Sequence, residues 1–241
     1  MSARVPTAAC AGIAQRSNVK KNRQFESFER MAEAAAANLV RAAAGSAFEL
    51  FSSREFRGPA DLERLAPTEQ DRIFNELVVS FIVLVVLLLE TPDLEVTAEL
   101  SGFLGTLKGA VPEAHAAYLK SVGVESVHVR DWKKLIRMRY DEYAGGRHDV
   151  RAAGMQLEAQ RKTLGLDDLS KMQLLVPVHV VAIGCHRHVC RGRTEGRDEL
   201  LRATFKSLAK FYVELRVGLE GGRIAPTGRA LVPSKDCGGA W

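Results

Sequence analysis

The stretch Leu77-Val-Val-Ser-Phe-Ile-Val-Leu-Val-Val-Leu-Leu-Leu89 decides the fold. These 13 residues carry no charge and are bracketed by Glu76 and Glu90. A bilayer span needs about 20 apolar residues, and runs of about 10–14 are usual for buried core helices. Six of the 13 are β-branched, which raises a buried strand as the competing reading. Length decides against it. With the amphipathic lead-in from Thr68, the segment exceeds a strand of about 5–6 residues. The expectation is a buried helix over 69–90, with Thr68 as N-cap and Asp71 in the capping-box position.

A second apolar run, Met172 to Cys185, is interrupted by Gln173, Pro177 and His179. It predicts a helix over 167–190, capped by Asp167 and kinked at Pro177. Two helices apolar nearly all round cannot lie on a surface, so both are expected at the centre. Amphipathic helices should wrap them. One is expected over 24–51 with an Ala-rich stripe of Phe28, Ala32, Ala35, Leu39 and Ala42, followed by a linker over 52–67. Thr91-Pro92 should start a helix reaching Lys108, and Val111-Pro112 another that stops at Gly123. Ser126 to Tyr143 should end at Gly145-Gly146, and Asp149 should cap a further helix to Thr163. In the last helix Leu201, Phe205, Leu208, Tyr212, Leu215 and Leu219 recur at heptad-like steps, a seam that suits self-assembly or internal packing. The fold class read from this is all-α: a single-domain bundle of about seven or eight helices over 24–220, with a disordered basic tail at 1–23 and an irregular tail at 221–241.

Composition agrees with a globular chain. Of 241 residues, 46% are hydrophobic and 26% charged, which excludes collagen-like, wholly disordered and disulfide-scaffold classes. The net charge of +5 is uneven. Residues 1–120 hold 13 Lys/Arg against 15 Asp/Glu, and residues 121–241 hold 21 against 14. Of the four cysteines, Cys10 and Cys237 lie in the expected tails, and Cys185 and Cys190 are five apart. No disulfide framework is visible, and a cytoplasmic, reducing location is expected. The first 25 residues carry Arg4, Arg16, Lys20, Lys21 and Arg23 and no acid, a composition shared by organelle transit peptides and by plain basic tails.

Three groups of residues invite chemistry. His186 and Cys190, at i and i+4, could share one transition ion, since imidazole and thiolate both suit zinc or copper. His179 shares their face but lies about 10 Å away along the axis. A di-iron bundle needs two Glu-x-x-His pairs, and Glu125-Ser-Val-His128 is the single instance. Gln173, Pro177 and His179 could line a pocket at the expected kink. Arg187, Arg191, Arg193, Arg197, Arg202, Lys206 and Lys210 form a basic ridge able to track phosphates, although Glu199 and Glu214 are placed to pair with Arg202 and Lys210. Arg130, Lys133, Lys134, Arg137 and Arg139, around Trp132, form a second basic set.

No phosphate-binding glycine loop, nucleophile elbow or zinc-protease motif occurs, so neither a catalytic residue nor a cofactor is expected. The leading expectation is a non-enzymatic helical interaction or assembly protein, with a protein partner or a second copy bound and no membrane span. The alternatives are a nucleic-acid-binding protein using the ridge and a bundle that binds a small ligand or metal.

Overall fold

In a computed structural model, residues 9–160, 166–224 and 231–232 are described, with side chains described over 28–222 except 98, 99, 158 and 161–169. The chain forms an all-α bundle. Its helices are α1 (Ala9–Ser52), α2 (Arg54–Arg57), α3 (Pro67–Leu89), α4 (Ala98–Ser121), α5 (Ser126–Ala159), α6 (Leu166–Leu174), α7 (Val176–Val189) and α8 (Asp198–Leu219). A 3-10 turn at Leu62–Arg64 and a two-residue antiparallel ladder between Arg223–Ile224 and Leu231–Val232 complete the described structure.

The apolar stretch is the axis of the molecule. Every side chain from Glu76 to Leu89 in α3 is buried. By length and composition α3 alone, among the described residues, could cross a membrane, but 83% of its most apolar window is buried inside the protein. Around it run α1, α4, α5, α7 and α8, each touching α3 and its neighbours in a closed ring. Phe51 meets Phe74, so α1 runs against α3. Arg139 meets Glu76 and Arg147 meets Glu90, so α5 runs with it. Phe211 on Phe81, with Arg216 on Asp93 just past the end of α3, sets α8 the same way, and Arg72 on the carbonyls of His188 and Val189 sets α7 against it.

Of the two helices expected at the centre, α3 alone is enclosed on all sides. The other apolar segment joins the ring as α7 and keeps an exposed strip through Ile183 and Arg187. Nor is it one kinked helix. The chain breaks at Leu175, and Pro177 stands in the first turn of α7, where its missing N–H costs nothing. The start of α3 shifts for the same reason: Ala66 is its N-cap and Pro67 its first residue, so Thr68 is not a cap.

Expected stops are also overridden by packing. Pro112 lies inside α4, which runs on because Leu107, Val111 and Leu119 are buried on both sides of it. Thr91-Pro92 forms a turn instead of a helix start, with the Thr91 hydroxyl donating to the carbonyl of Leu87. Gly145-Gly146 leaves α5 unbroken, and Gly146 lies against Val180 of α7. The helix α1 reaches back to Ala9, where a start near Gln24 was expected, and passes Gly45. Its buried stripe is Ala32, Ala36, Val40, Ala43, Ala47 and Leu50, rotated from the expected one. The expected end of a helix at Thr163 and the cap at Asp167 lie outside the residues whose structure and side chains are described.

The α8 seam is spent internally. Leu208 and Tyr212 are buried in the main core, and Leu201, Phe205, Leu215 and Leu219 pack against it.

Candidate functional site

The basic ridge is built on the α7–α8 turn. After Cys190, Arg191 adopts φ +51° and Gly192 φ +79°, and the Gly192 N–H returns to the carbonyl of Arg187. These left-handed residues end α7 and turn the chain outward. Arg72 donates to the carbonyls of His188 and Val189 at 2.9 and 3.0 Å, so a cation from α3 closes the negative end of α7. His186 holds the far side of the turn through Nε2 and the carbonyl of Arg197, 3.1 Å apart.

The seven ridge residues divide in two. Arg191 is bound by Glu69 and Lys206 lies 3.3 Å from Glu55, while Arg197 is half-buried against Cys190. Arg72 and Arg191 together hold the Glu69 carboxyl down at about 2. Arg187, Arg193, Arg202 and Lys210 are exposed and have no acidic partner among the described residues. The intrahelical pairs expected with Glu199 and Glu214 do not form there. Beside Arg202 and Lys206 lies a cleft of about 420 Å³ that also carries Arg54, Glu55 and Glu199. In the second basic set, Arg139 is bound by buried Glu76 and Lys133 by Glu113, and Trp132 is half-buried against His115. That set offers no exposed stacking platform.

The pocket residues are partly brought together. Gln173 and Pro177 line a cleft of about 550 Å³. His179 is not there: its Nδ1 lies 2.9 Å from the carbonyl of Leu175, and its ring packs 4.6 Å from that of Phe205. His186 and Cys190 do not meet further ligands, and among the described residues no three His, Cys, Asp or Glu side chains form a metal-holding group. Burial lowers the pKa of His186 and raises that of Cys190, as expected of groups held neutral by packing.

Two features escaped the sequence reading. Glu90 ends α3 and accepts from Lys108, Tyr140 and Arg147 at 2.9, 2.6 and 3.0 Å. The three donors outweigh its desolvation and lower its pKa. Arg147, His148 and Arg151 line the same cleft as Gln173. The acid that closes the apolar run and the i, i+4 arginines were visible signals, but their meeting depends on tertiary packing.

Comparison with protein families, with characterised proteins and with solved structures finds no match to this chain.

Proposed function

We propose that the protein is a non-enzymatic interaction protein whose α7–α8 face binds a polyanion, with a nucleic-acid backbone as the partner class. The observation that supports this reading is the set Arg187, Arg193, Arg202 and Lys210, exposed with no acidic partner among the described residues. On α8 the cations at 202, 206 and 210 recur every four residues, a rise of about 6 Å per step. Arginine dominates the turn, and its planar fork suits phosphate oxygens. The face has no exposed aromatic side chain among the described residues, so it lacks a group on which bases would stack. Contacts to phosphates alone position a protein without reading sequence.

Fluorescence anisotropy with labelled duplexes of unrelated sequence tests this at low salt. The chain should bind them with similar affinities. The combined Arg187→Ala, Arg193→Ala, Arg202→Ala and Lys210→Ala variant should bind at least about tenfold more weakly. Absence of binding, or equal binding by the variant, contradicts the reading.

A further inference from the structure

The 550 Å³ cleft lies at the other end of α7 from the basic turn, between the α3–α4 connection, α5 and the α6–α7 junction. Its volume is that of a small-molecule site. Val176 and Pro177 form part of its wall and are buried, and Pro177 has no backbone N–H to offer. The polar groups facing it are mostly donors. Arg147 and Arg151 stand one helical turn apart on α5, with the exposed His148 between them in sequence.

Among the described residues the one acid lining the cleft is Asp93, half-exposed, and both it and nearby Glu90 are already engaged. The Asp93 carboxylate lies 3.3 Å from Arg216, and Glu90 is shared by Lys108, Tyr140 and Arg147. Arg151 has no carboxylate partner among the described residues. It donates instead to the Oε1 of Gln173, a neutral amide oxygen. That bond leaves the amide NH2 of Gln173 as a further donor at the same wall. A guanidinium balanced by no acid among the described residues, an adjacent imidazole and an amide donor therefore line one concave surface. Cations and N–H donors in this arrangement match an oxyanion, which accepts several charge-assisted hydrogen bonds at once.

We propose that this cleft is a binding site for a small oxyanion, the shared chemistry of phosphates and carboxylates, with Arg151 and Gln173 as its principal contacts and Arg147 as the second cation. The site is separate from the α7–α8 face and does not depend on the proposed function.

Titration calorimetry of the full chain with inorganic phosphate and with citrate, against chloride at equal ionic strength, tests it. The proposal expects saturable binding of at least one of the two. It expects that binding to weaken about tenfold or more in Arg151→Gln and to weaken in Gln173→Leu, both changes at the cleft wall outside the core. The variant lacking Arg187, Arg193, Arg202 and Lys210 should bind the anion as the unaltered chain does. Phosphate binding without citrate binding assigns the site to phosphates, and the reverse assigns it to carboxylates. No saturable binding of either anion overturns the proposal. So does binding unchanged in Arg151→Gln, or lost only when the α7–α8 cations are removed.

Discussion

Gly184 shows how closely the helices approach. A methyl group there would sit 2.1 Å from Cε1 of Tyr143, whose ring is itself fully buried. Tyr143 cannot swing away without losing that packing and the position of its hydroxyl, 3.4 Å from Ser80. Gly184→Ala should therefore cost about 1–3 kcal/mol of overpacking, read as a lower urea midpoint. Among the titrating residues, His115 is 2% exposed, packs against Trp132 and has an Nδ1 without a partner. Burial pushes its pKa down to about 4 from 6.5. The unfolded chain thus takes the proton first. The stability held by neutral His115 is complete above pH 6.5 and is lost as pH falls towards 4, by up to about 3 kcal/mol. Urea denaturation at pH 7 and pH 4.5 checks this: His115→Phe should lose less stability between the two than the unaltered chain, and an equal loss contradicts it. Glu69, lowered to about 2, acts in a lower window, its contribution fading as pH falls from 4.5 towards 2.

Among the elements, α3 was legible from sequence because 13 consecutive apolar residues leave no solvent face. The α8 helix was legible because its apolar steps alternate between three and four. Boundaries resting on glycine and proline were not. A lone Gly-Gly or Pro costs a helix only about 1–3 kcal/mol, and burial on both sides outweighs it at Pro112 and Gly145-Gly146. Between elements, the main polar tie in the core is Glu76 of α3 with Arg139 of α5, joined at 2.7 and 3.0 Å and side-chain exposures of 9% and 13%. Such a pair resists loss of one member far more than loss of both. Arg139→Ala should destabilise by about 3–5 kcal/mol, because Glu76 then stays buried without a counter-charge. The double change Glu76→Leu with Arg139→Met should fall within about 1 kcal/mol of the unaltered chain or exceed it. A denaturant double-mutant cycle measures both, and a double variant as unstable as the single one would refute the point.

At the scale of the molecule, one helix is enclosed by five and the charge is uneven. The basic excess of the C-terminal half was plain in the sequence, and so was the line of cations at 202, 206 and 210. Which of them are neutralised was not, because the acids come from far along the chain: Glu69 reaches Arg191 and Glu55 reaches Lys206. Gln173 and Pro177 line one cleft, but Pro177 begins a helix there and does not kink one, and His179 packs elsewhere. The cleft's cations belong to α5, a segment read as ending before them. The salt dependence of duplex binding most directly tests the claim that α7–α8 is a polyanion surface. Each cation that displaces a counterion contributes about −0.9 to the slope of log K against log salt. The unaltered chain should show a steep negative slope, and removal of Arg187, Arg193, Arg202 and Lys210 should flatten it by about 3–4. A slope near zero, or one unchanged by removing those four cations, would contradict the account.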